Sequence, residues 1–212
     1  MIPRAEFVAV KMDMRSSRRI RDREQAQGRF LQVMEVLNKE SAPSIQARFI
    51  VTHGDEAQGM LKRESAPDVL TVIERSIDGV LPVELRFGIG MGTLSTPLQP
   101  DAIGMDGEAW HAASRALSLA RSRRKHVVFS GFGEHVDQQL CALANLLLHM
   151  RNGWSPEQRR AIQMVDAGMM QSAAARVLGV SESAISQRLT SAGWHFYKDG
   201  RVAVANLLRP GL

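Results

Sequence analysis

The sequence predicts an α+β fold: a ferredoxin-like βαββαβ domain followed by an all-α domain of helix-turn-helix type. Three observations lead there. Short apolar runs alternate with helix-period segments over residues 1–131. An acidic Gly-Asp-Glu step divides two apolar runs at 51–61, as in a hairpin. After Pro156 come three short helical segments, the last two separated by a glycine.

The elements follow in order. AEFVAVKMD (5–13) begins as an apolar strand ending in Asp13. The next segment reads as a helix to residue 40, with Ser16 or Ser17 as cap and Ile20, Phe30, Leu31, Met34 and Leu37 on one face. QARFIVT and AQGML form the hairpin, and APDVLTVIERSIDGV is a second helix. VELRFGIGMGTL is a strand with Gly88, Gly90 and Gly92 at alternate positions. DGEAWHAASRALSLARSR is a third helix and HVVFSG a further strand. This split βαβ order implies an antiparallel sheet with helices on one face. Residues 132–152 read as a connecting helix, leaving 153–212 as a second domain. Its Leu146–Leu148 run suits either a dimer seam or a cover for the domain's own core.

In the second domain, helical segments fit 156–167, 171–178 and 182–191. Ala173 and Ala174 suit a close helix crossing, Gly179 a tight turn, and Val180 a plug for it. Ser181 suits a cap, and Ile185 and Leu189 face inward. The pattern is that of a helix-turn-helix with the third segment as recognition helix. Its exposed Glu182, Ser183, Ser186, Gln187 and Arg188 are candidate contacts to double-stranded DNA, with Ser181 at the helix start. Gln171 and Ser172 open the preceding helix as candidate phosphate contacts. The alternative is a three-helix bundle that binds protein.

Composition narrows the class. Hydrophobic residues make up 44% and charged residues 23% of 212, as in ordinary globular chains. The single cysteine, Cys141, excludes an internal disulfide framework and suits a reducing compartment. With no apolar leader at the start and no apolar run of spanning length, the expected location is cytoplasmic. Of the +5 net charge, residues 151–212 hold most, with 8 Lys and Arg against 4 Asp and Glu. That bias suits an anionic partner for the second domain, and also lies within ordinary scatter.

The first domain carries a possible ligand constellation. Asp13 ends the first strand and Asp55 lies in the hairpin turn, so the topology brings both to one end of the sheet. Two such carboxylates suit Mg²⁺ shared with the phosphates of a nucleotide. Ser16, Ser17 and Arg18 follow Asp13 and suit phosphate. His111 and Arg115, at i and i+4, can reach one ligand. The alternate glycines leave a sheet face bare for a closely approaching backbone or flat ligand. Each residue also has a plain role: Asp13 as a helix cap, Asp55 in a turn, Glu56 toward solvent or toward partners of the ligating groups, Arg115 in a surface pair. The basic run Arg121, Arg123, Arg124 and Lys125 reads as a solvated helix end.

Together MDMRSSRR, VTHGDEAQGML, LRFGIGMG, GMDGEAWHAASRAL and the terminal segment ending AGW resemble the SatD family over nearly the whole chain. More distantly, the first domain is similar to class III nucleotidyl cyclases and, in outline, to diguanylate cyclases. That resemblance implies a nucleotidyl-cyclase-like domain in which Asp13 and Asp55 bind metal. It places His111 where the cyclases carry Asn, and Arg115 where they carry a transition-state Arg. Ser16 stands where they usually carry Gly. Kept carboxylates with an altered His111 imply binding without efficient turnover.

The leading expectation is a DNA-binding transcriptional regulator whose first domain senses a nucleotide with Mg²⁺. One such reading module has a small footprint, so a homodimer on half-sites about 34 Å apart is expected. The alternatives are a cyclase-type phosphoryl-transfer enzyme and a first domain that binds no ligand and only dimerises.

Overall fold

The computed structural model describes residues 5–15 and 22–210. Among these described residues five strands and eight α-helices follow one another: β1 (Glu6–Met14), α1 (Arg23–Glu40), β2 (Ile45–His53), β3 (Glu56–Lys62), α2 (Val69–Val80), β4 (Leu85–Thr93), α3 (Glu108–Ser122), β5 (Val127–Ser130), α4 (Glu134–Asn152), α5 (Pro156–Asp166), α6 (Gln171–Leu178), α7 (Glu182–Ser191) and α8 (Trp194–Leu208). A 3-10 turn, Arg63–Asp68, precedes α2.

The sheet order is β2-β3-β1-β4-β5. Its ladders are antiparallel except β4–β5, which is parallel, so the sheet is mixed rather than wholly antiparallel. Both faces are covered, not one. Val8, Val10, Met12, Phe87 and Ile89 alternate onto one face and are fully buried, with α1 and α2 supplying Phe30, Val33, Met34, Leu37, Leu70 and Ile73 to the core. The other face takes α3. A Cβ at Gly88 would collide with the Ala113 carbonyl, and one at Gly90 with the Ala113 amide. The close approach that the bare glycine face implies is therefore the backbone of α3, whose own face is Ala109, Ala112, Ala113, Ala116 and Ala120.

Two local expectations shift. Helix α1 starts at Arg23, capped by Asp22, whose side chain accepts from the Gln25 N–H at 2.9 Å. Ser16, Ser17, Arg18 and Ile20 lie outside the described residues. The buried face of α1 uses Val33, while Leu31 is 48% exposed. Phe30, Val33, Met34 and Leu37 keep the i, i+3, i+4, i+7 spacing that one helix face requires.

The chain divides into two compact units, 1–142 with 204–212, and 143–203, so the boundaries fall inside α4 and α8. In the second unit a capping box at Ser155 and Gln158 starts α5. Gly179, at φ 65°, turns the chain from α6 to α7, and Ser181 accepts from the Ala184 N–H. Ile185 and Leu189 are buried, as their spacing predicts. Helix α8 adds Trp194 and Tyr197 to a cluster around Trp154, whose indole N–H donates to the Ala192 carbonyl at 2.8 Å. Among the described residues no helix is long and apolar enough to cross a membrane.

Candidate functional site

The face of the sheet beneath α3 changes character along β1. At one end Ala9 packs with Met60, Trp110 and Ala113. In the middle Lys11 donates to the Ser114 hydroxyl at 3.1 Å. At the far end stands Asp13. The register sets Glu56 of β3 and Arg86 of β4 directly beside it. Directly opposed residues on adjacent strands share a face, so three charged side chains meet at one sheet position. Helix α3 contributes the fourth: Arg121 lies seven residues, or two turns, beyond Ser114 and returns to the same side.

Arg121 spans both acids. Its Nε donates to Asp13 Oδ2 at 2.9 Å and its Nη2 to Glu56 Oε1 at 2.5 Å. Arg86 Nε lies 3.8 Å from Asp13 Oδ1, an ion pair too long for a hydrogen bond. Asp13 Oδ1 and Arg86 Nε are both buried and, among the described residues, without a hydrogen-bond partner. Burying polar atoms in that state is costly. Burial raises the Asp13 carboxyl above its ordinary value, and the charges of Arg86 and Arg121 only partly oppose it. For Arg121 burial pulls downward, but the bonds to Glu56 and Asp13 win and its pKa rises. The pair therefore holds the arginine's proton more firmly without restoring what burial takes from the carboxylate. Burial decides the balance at Asp13, whose side chain is 8% exposed against 41% for Arg121.

The structure brings only some of the anticipated residues to this point. The cross-strand partner of Asp13 is Glu56, not Asp55; Asp55 precedes it in the turn, where its carbonyl accepts from Met14 N–H at 2.9 Å. Glu56 is thus an ion-pair partner rather than a solvent-facing turn residue. Arg121 is not a solvated helix end. His111 and Arg115 lie on the exposed side of α3, and His111 Nε2 stands 3.1 Å from Asp106 Oδ1. That helix meets β1 at Ser114 and Arg121 instead. In the second unit Gln171 and Ser172 open α6, half-buried; Ser181 caps α7, its hydroxyl 2.9 Å from that of Ser183. Glu182, Ser183, Ser186 and Gln187 are exposed and Arg188 is half-buried.

Among the described residues no three His, Cys, Asp or Glu side chains gather as a metal cage. Asp13 and Glu56 are a pair of hard oxygen donors, and Mg²⁺ needs only one or two carboxylates when phosphates complete its shell. The donor set and the unpartnered Asp13 oxygen fit such an ion.

The sequence matches the SatD family over residues 7–208. The chain belongs to the SatD family. No curated protein matches it. Among solved structures it is similar to a bacterial light-regulated adenylyl cyclase, with 13% identity over 60% of this chain and 76% of that one, TM-score 0.46. The guanylyl cyclase Cya2 shares 12% identity over 55% of this chain and 71% of that one, TM-score 0.39. An EAL/GGDEF domain protein from M. capsulatus shares 18% over 61% and 86%, TM-score 0.40. These likenesses concern fold and assign no activity. The match over residues 7–208 is to the SatD family and not to a family of DNA-binding regulators, and the expectation of a DNA-binding transcriptional regulator is corrected on that finding.

Proposed function

We propose that the sheet unit of this SatD protein is a cyclase-type domain that binds a nucleoside triphosphate with a divalent cation and carries out phosphoryl transfer at the Asp13–Glu56 edge. The observation that carries this reading is Asp13 itself: a buried carboxylate with one oxygen lacking a hydrogen-bond partner among the described residues, between two arginines. A buried charged group perturbed by desolvation beside specific charge partners is a functional-site candidate.

In this reading Asp13 holds the ion together with Asp55 or Glu56. Mg²⁺ or Mn²⁺, when bound, supplies charge stabilisation at the phosphates. Arg86 and Arg121 take phosphate oxygens through their planar forks and oppose the negative charge that builds there. Ser16, Ser17 and Arg18 follow β1 directly in the sequence and join the phosphate side of the proposal. His111 and Arg115, on the exposed side of α3, remain candidates for contact with the rest of the nucleotide. A second reading, a domain that binds no ligand, draws on the engagement of both acids by Arg121.

The test is product analysis after incubation with ATP or GTP and Mg²⁺ or Mn²⁺. The proposal expects pyrophosphate or a cyclic nucleotide from the wild type and a loss of about 10²-fold or more in Asp13→Asn. No product with either nucleotide and either metal would contradict phosphoryl transfer.

A further inference from the structure

We infer that Arg121 is an internal cation that keeps the metal position closed until phosphate draws it away. The site then takes a divalent cation and a polyphosphate together, and neither well alone. This rests on the reading of Asp13 and Glu56 as a metal–phosphate site.

One guanidinium occupies both acids at once, through Nε to Asp13 and Nη2 to Glu56. Those are the oxygens a bare metal ion would need. Two carboxylates and two guanidinium groups also cancel in charge, so the cluster offers little net attraction to a free cation. A free polyphosphate fares no better, because it meets two carboxylates beside the arginines. Only a metal–polyphosphate pair gives every charge an opposite partner: the ion replaces Arg121 on the acids, and Arg121 follows the phosphate.

The placement of the groups suits such an exchange. Asp13 is fixed in the central strand β1 and its side chain is 8% exposed; Arg121 stands at the last turn of α3 and is 41% exposed. The arginine is therefore the partner with room to move. Arg86 Nε, buried and without a hydrogen-bond partner among the described residues, is a second donor beside it. Lys11, at the next pair along the same sheet face, donates to Ser114 at 3.1 Å and so is engaged away from the acids. Coupling of this kind is reciprocal: whatever factor phosphate adds to metal affinity, metal adds to phosphate affinity.

Titration calorimetry on the full chain tests it with three probes: Mn²⁺ alone, inorganic triphosphate in EDTA, and triphosphate with excess Mn²⁺. In the wild type, triphosphate should bind about tenfold or more tightly when Mn²⁺ is present. In Arg121→Gln, Mn²⁺ alone should bind about tenfold more tightly than in the wild type and the coupling should shrink. Arg121→Lys, which keeps the charge but loses the fork, should retain more of the coupling, and it serves if the Gln variant does not fold. Mn²⁺ binding to the wild type equally well with and without triphosphate overturns the inference, as does Mn²⁺ affinity unchanged or lowered in Arg121→Gln. Asp13→Asn separates this from the underlying reading: wild type that binds no Mn²⁺–triphosphate, or Asp13→Asn that binds it equally, removes the site itself.

Discussion

Burial makes the charged form of Asp13 costly in the fold. Its carboxyl sits above the ordinary 3.8 because desolvation exceeds the pull of Arg86 and Arg121. The sign follows from linkage. A carboxyl that binds its proton more readily in the folded than in the unfolded chain favours folding at low pH. That contribution is full below the unfolded value near 3.8 and is lost as pH rises through the raised value. Asp13→Asn removes the titration. Wild-type stability relative to that variant should therefore fall as pH rises from 3.8 toward neutrality, measured as urea midpoints across that interval. A difference that stays flat or rises with pH would mean that the arginines, not burial, dominate at Asp13.

At the scale of elements, β4 and α3 place the site. Glycines at 88, 90 and 92 let α3 lie directly on the sheet, and that seating sets where Arg121 arrives. Arg86, two residues before Gly88, shares the glycine face by strand alternation. Gly90→Ala puts a methyl into the backbone of α3 at Ala109 and Ala113. It should cost about 1–3 kcal/mol in urea denaturation, as overpacking does, and weaken ligand binding by displacing Arg121. Unchanged stability would mean that α3 is free to shift. The same elements show what sequence could disclose. The strands and helices were legible because their apolar periods are clean and the hairpin is punctuated by Gly54 and Asp55. Asp13 was legible as the charged end of an apolar strand. Glu56 was read as facing solvent or partners of the ligating groups, and Asp55 as the partner of Asp13, because a one-residue difference in register decides which acid faces Asp13. Arg121 was hidden inside a basic run. Its signal was the seven-residue spacing from Ser114, and that becomes informative only once Ser114 is known to face β1.

For the whole molecule, local motif strength pointed to the second unit, whereas the buried charge cluster of Asp13, Glu56, Arg86 and Arg121 lies in the sheet unit. Capped short helices, a left-handed glycine turn and buried Ile185 and Leu189 explain why 171–191 forms two packed helices. These constraints specify packing and say nothing of what the exposed side chains touch. Function read from them alone went further than the physics allowed. Thermal unfolding of the full chain, with and without a nucleoside triphosphate and Mg²⁺, on wild type, Asp13→Asn and Glu56→Gln, tests the central claim most directly. At a hundredfold excess over Kd, binding adds about 2.7 kcal/mol, which for a chain of this size raises the midpoint by roughly 5–10 °C. The account predicts a rise of that order in the wild type only when Mg²⁺ accompanies the nucleotide, and its loss in both variants. An unchanged wild-type midpoint with every nucleotide, or an equal rise in Asp13→Asn, would contradict it.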